Sequence, residues 1–167
     1  MHHTIFPILT LLVDNEFGVL VRVGSQIRRE GWNIKSLAVA ETTDPAVSRI
    51  TLSLECFEAT LQGVLHKLMR LQCVRSVSSY DPARDICREM ALLRIADGDW
   101  PAAQPIAAAS GAKLLSQDGG YRMLELCAPP EELAGHIEAL RAVAAVEAAR
   151  TGAVTLEKTP PRQEAAP

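Results

Sequence analysis

Residues 13–23 read VDNEFGVLVRV, two acids, an amide and a glycine set between an apolar run and an amphipathic one. A tight strand-to-helix turn therefore falls on Asp14 to Gly18. Asp14 or Asn15 can cap the new helix through a side-chain oxygen, and Gly18 permits backbone angles or close approaches that a Cβ would forbid. Such a turn points the free N–H groups near Gly18, Val19 and Leu20 outward, a ready seat for a carboxylate. The structural alternative is a plain one: Asn15 caps, and Gly18 relieves strain.

No other group of residues offers as much chemistry. Glu131 and Glu132 follow Pro129 and Pro130 at a helix start, where carboxylates complement the helix dipole, so they read as a cap rather than an acid/base pair. His2, His3, His66 and His136 are scattered, with no Cys or carboxylate arranged as nucleophile and base. Cys56, Cys73, Cys87 and Cys127 lack C-x-x-C spacing and nearby histidines, and are expected to be reduced, mostly packed thiols with no metal. Arg49, after the "TTDPA" turn, resumes a strand as a solvated residue or a partner contact. No active site emerges.

The elements that must position the turn follow from the wider pattern. The chain has 167 residues, a formal net charge of −3 and 4% aromatic residues, so neither a basic field nor a stacking platform for nucleic acid is present. The N-terminal "IFPILTLLV" is interrupted by Pro7, followed by charge and too short to span a bilayer, so a cytoplasmic protein without membrane contact is expected. Apolar periodicity predicts strand 3–13, helix 18–30, strand 33–42, a hairpin turn at "TTDPA", strand 47–56, helix 58–71 and strand 73–80. After "YDPARDICRE" the order begins again: strand 88–96, helix 101–110, strand 112–118, a "DGG" turn, strand 121–128, helix 130–142 and strand 145–156, broken at Gly152.

That is an α+β chain of two tandem ferredoxin-like βαββαβ units, each with helices on one face of an antiparallel sheet. The expected division is a first domain over 1–80, a linker over 81–87, a second domain over 88–157 and a disordered tail over 158–167.

The residues also carry a family resemblance. The N-E-x-G-V-L turn, the "GWNIKSL" strand and the "TTDPAVSR" hairpin resemble the first domain of the regulatory (small) subunit of acetohydroxyacid synthase, also called acetolactate synthase. "REMALLRI" and "VEAARTGAVTLEK" are similar to segments of that family's second half, so the likeness covers nearly the whole chain. The resemblance implies an N-terminal ACT domain, a C-terminal ACT-like domain, a homodimer formed by edge and helix contacts, and valine bound between domains at the turn. It implies no catalysis by this chain; thiamine diphosphate, Mg and FAD belong to the large catalytic subunit, which this subunit activates and makes sensitive to feedback.

A bound amino acid needs donors for its carboxylate, partners for its ammonium and an apolar hole. Backbone N–H groups at Gly18, Val19 and Leu20 could serve the first, the amides of Asn15 and Asn33 either charged group, and Leu20 and Ile34 the hole. Asn33 otherwise merely starts a strand after Gly31. Three positions depart from the family pattern: Phe17, Val21 and Lys35 stand where Pro or Ser, a small residue, and Glu are customary. A free-standing amino-acid sensor is the alternative reading, and an independent small enzyme a more distant one.

Overall fold

The computed structural model describes residues 4–159. In chain order it contains β1 (Thr4–Ile5), β2 (Ile8–Asp14), α1 (Val19–Arg29), β3 (Asn33–Glu41), β4 (Val47–Phe57), a 3-10 turn over Glu58–Thr60, α2 (Leu61–Met69) and β5 (Val74–Ser79). Then follow β6 (Asp85–Ala96), α3 (Trp100–Ala109), β7 (Lys113–Asp118), β8 (Tyr121–Ala128), α4 (Pro130–Arg141), β9 (Val146–Arg150) and β10 (Val154–Glu157). The βαββαβ order occurs twice, as expected. The first expected strand is split into β1 and β2 because Pro7 has no N–H to give a ladder; its carbonyl still accepts from Leu54 at 3.2 Å.

Two compact units divide the chain, one comprising Met1–Cys87 with Val154–Pro167 and the other Arg88–Ala153. In the first, β4 pairs antiparallel with β1 and β2 on one side and β3 on the other, while β5 pairs with β2. Alternation decides which face is buried. Leu9, Leu11 and Val13 of β2 and Ile50, Leu52 and Leu54 of β4 point at Val19, Val23 and Ile27 of α1 and Val64 and Leu68 of α2. One free edge of this sheet is β3. Along it the register slips between Ile34 and Ser36, leaving Lys35 as the extra residue, and its ammonium pairs with Glu55 at 2.7 Å.

The second unit repeats the plan. β6 pairs with β8 and with β9, β7 pairs with β8, and Leu93, Ile95, Leu124 and Leu126 pack on Leu133, Ile137 and Leu140 of α4 and on the alanines of α3. Gly152, at φ +82°, separates β9 from β10 as the sequence suggests.

Two expected boundaries change. Val154 onward belongs to the first unit rather than the second, because the Thr155 hydroxyl bonds that of Thr10 on the sheet's outer face and Lys158 Nζ bonds the carbonyls of Pro82 and Ala83 at 3.0 and 2.9 Å. Nor is 81–87 a loose linker. Residues 81–84 form a turn, and Asp85, 6% exposed, already starts β6. The tail expected to be disordered lies, from residue 160, outside the described residues.

Asp85 holds that turn. Its carboxylate accepts from Arg84 Nε at 3.0 Å, Arg84 Nη2 at 3.2 Å and the Asp81 N–H at 2.8 Å. The hydrogen bonds from Arg84 keep the Asp85 carboxyl below its usual range, against the opposing pull of burial. A carboxyl whose pKa falls on folding contributes stability above its unfolded value and loses it as pH drops through the folded one. Asp85→Asn should therefore cost about 1–3 kcal/mol at neutral pH, and the gap should close below about pH 4. Urea titrations at pH 7 and pH 3 measure both.

Candidate functional site

The turn between β2 and α1 is bolted to the β3–β4 hairpin. The Asn15 N–H donates to the Ala46 carbonyl at 2.9 Å and the Asp14 N–H to that of Cys73 at 2.9 Å. The Asn15 amide then spans the gap: Nδ2 donates to Glu41 Oε1 at 3.0 Å and to the Pro45 carbonyl at 2.9 Å, and Oδ1 accepts from Ser48 Oγ at 3.0 Å. Arg75 closes the other side, with Nε on Asp14 Oδ1 at 2.7 Å and Nη2 on the Ala46 carbonyl at 3.4 Å. Asp44 folds the hairpin tip by accepting from the Ala46 N–H at 2.9 Å.

Neither Asp14 nor Asn15 therefore caps α1. The N-cap is Gly18 itself, at φ 79° and ψ 1°, with no side-chain hydrogen bond. A Cβ built there meets nothing within 4 Å, so the left-handed backbone rather than crowding calls for glycine, and the space above the turn is open. Of the expected donors, Val19 is already engaged with the Glu16 carbonyl at 3.4 Å, and its side chain is in the core. Gly18, Leu20 and Val21 have no backbone partner for their N–H groups among the described residues. Val21 thus replaces Val19 in the donor set. With both amide hydrogens used, Asn15 keeps one lone pair on Oδ1 for a ligand.

The expected residues fall into two groups at opposite ends of α1. Asn15, Gly18, Val19 and Leu20 lie at its N-terminus; Asn33 and Ile34 open β3 just past its C-terminus. Eleven residues of helix separate them by about 16 Å. One chain does not bring them together. Asn33 is exposed beside Glu55, whose carboxyl is lowered first by its hydrogen bond from Lys35, then by that ammonium's charge, and further by Asn33. Ile34 is half-buried against the first core. Sequence reasoning did not find Glu41, Ser48 or Arg75, which share no local pattern with the turn they hold. Among the described residues, no cluster of His, Cys, Asp or Glu could hold a metal, and no helix is long and apolar enough to cross a membrane.

Residues 9–76 match the family model of the AHAS small subunit-like ACT domain, which puts the first unit, with its hairpin-bound turn, in the ACT-domain class. The acetolactate synthase isozyme 3 small subunit of Salmonella typhimurium is 30% identical over 154 residues, covering 90% of this chain and 94% of that one. That of Mycolicibacterium smegmatis is 29% identical over 91% of both. The chain belongs to the family of acetolactate synthase small subunits, regulatory rather than catalytic chains. The crystal structure of the Thermotoga maritima small subunit has the same fold, with a TM-score of 0.80 at 24% identity over 93% of this chain and 98% of that one.

Asn15→Ala removes three side-chain hydrogen bonds from a partly solvated position, for an expected loss of about 1–2 kcal/mol. Amide exchange at Ala46 and Val47 should quicken more than at the centre of β4. Equal protection in the wild type and in Asn15→Ala would separate the hairpin from the turn.

Proposed function

We propose that the chain is the regulatory subunit of an acetolactate synthase: it activates the thiamine diphosphate-dependent large subunit and transmits feedback inhibition by valine bound at the Asn15–Gly18 turn. The observation that carries this reading is the turn itself, a helix start with unpaired N–H groups beneath open space, held by a family member's hairpin. The ligand carboxylate sits near Gly18, Leu20 and Val21, and the ammonium on Asn15 or Asn33. Thiamine diphosphate, Mg and FAD are held by the large subunit, and the assembly is cytoplasmic.

A homodimer completes this site. β3 is a nine-residue edge strand with exposed Leu37 and Val39, and the adjoining face of α1 exposes Leu20 and Val21, the latter at 70%. An apolar edge of that length favours pairing with another strand. Two β3 strands antiparallel about a two-fold axis near Leu37 bring the Asn33 end of one chain beside the Glu41 end of the other, where Asn15 is bonded. The two separated groups of residues then meet as one pocket, twice per dimer. Free-standing sensing by the same dimer is the reading that failure with a large subunit would favour.

Gly18→Asp sets a carboxylate where the ligand's lies. Two like charges about 4 Å apart repel by about 4 kcal/mol at an effective dielectric of 20, so valine affinity should fall at least a hundredfold. The variant should stay folded and dimeric, activate the co-encoded large subunit, and lose valine inhibition. The chain alone should make no acetolactate from pyruvate with all cofactors supplied. Calorimetry with wild-type protein decides the ligand: no heat at millimolar valine, leucine or isoleucine contradicts the site.

A further inference from the structure

We infer that Phe17 is a specificity-determining residue of the amino-acid site that acts across the dimer, its ring entering the cleft at the far end of α1 in the second chain. The inference rests on the dimer proposed above. Phe17 stands at the tip of the turn, one residue before Gly18, and is fully exposed at 102%. At the other end of the helix a cleft of about 490 Å³ has Trp32, Asn33, Phe57 and Thr60 in its lining, together with the carboxylates of Glu30 and Glu55. A cavity of about 150 Å³ already holds a benzene ring, so this cleft has room for a phenyl group and a small amino acid together.

Register supplies the match. The middle residue of α1 is Gly24, and a Cβ built there meets nothing within 4 Å, so a second α1 can approach it closely. Two α1 helices antiparallel about Gly24 set residue 17, seven before it, opposite residue 31, seven after it. The same symmetry axis that joins Asn15 to the partner's Asn33 therefore directs Phe17 at the wall beside Asn33. Trp32, half-buried against the first core and with Lys67 Nζ 5.9 Å from its ring centroid, offers that ring the aromatic surface Lys67 leaves open. The ring covers the bound amino acid, removes its side chain from water and limits its size.

The test uses full-length chain with photoreactive benzoylphenylalanine at position 17, prepared in heavy-nitrogen and ordinary forms, mixed and irradiated with valine. Heavy-to-light peptides joining residue 17 to residues 31–33 or 57–60 are expected. In calorimetry Phe17→Ala should weaken valine about tenfold and narrow its preference over leucine, whereas Phe17→Leu should restore most of the affinity. A dimer that binds valine but gives no cross-chain peptide, or binds it equally in Phe17→Ala, overturns the role of Phe17 and leaves the regulatory reading standing. Protein silent to valine, as monomer or dimer, overturns both the role of Phe17 and the valine site.

Discussion

One amide holds the β2–α1 turn of the first unit to the β3–β4 hairpin. Asn15 joins three pieces of chain distant in sequence: the end of β2, the end of β3 through Glu41, and the hairpin tip and start of β4 through Pro45 and Ser48. A primary amide suits this position because it donates twice and accepts twice, so one side chain can satisfy partners of both kinds. Fixing the turn to the hairpin leaves α1 starting from glycine in a left-handed conformation, with no side chain folded back over its N–H groups. A helix capped by its own Asn would have filled that seat. The seat is open because Asn15 is engaged elsewhere.

The second constraint is the sheet edge. β3 ends one side of the sheet, and a helix exposing Leu20 and Val21 adjoins it, so the same border carries unpaired backbone and apolar side chains. Antiparallel pairing satisfies both at once, and its symmetry answers a geometric difficulty. Residues suited to the two ends of an amino acid lie about a helix length apart in one chain. A two-fold axis through the middle of β3 superposes opposite ends, which lets separated half-sites become whole ones. On the proposed dimer, linkage between ligand and assembly follows: a ligand bound at a site built from two chains stabilises their association.

Much of this was legible in the sequence. Leu9, Leu11 and Val13 alternate and Val19, Val23 and Ile27 recur at helical spacing, so the elements and the buried faces could be read. The turn at Gly18 could be read too, since glycine there is demanded by local backbone geometry. The partner of Asn15 could not. An Asn before a helix looks like a cap in any local window, and its true partners Glu41 and Ser48 lie 26 and 33 residues away. Residues 81–87 misled for a similar reason: proline and charge look like a linker until Arg84 and Asp85 are seen to satisfy each other beside a returning Lys158. Separation of Asn33 and Ile34 from Asn15–Leu20 by a helix length was already implicit in the helix predicted over 18–30, which the structure places at Val19–Arg29.

Subunit complementation tests most directly the claim that each site is built from two chains. Gly18→Asp and Asn33→Lys chains each carry one spoiled half, the second placing a cation against the ligand's ammonium. Alone, neither should bind valine. Unfolded together and refolded at equal amounts, half of the dimers are mixed and each regains one intact site, so about a quarter of the wild-type binding capacity should return in calorimetry. If the mixture binds no more valine than its components while mixed dimers are present, the site lies within one chain and the shared-site account is wrong.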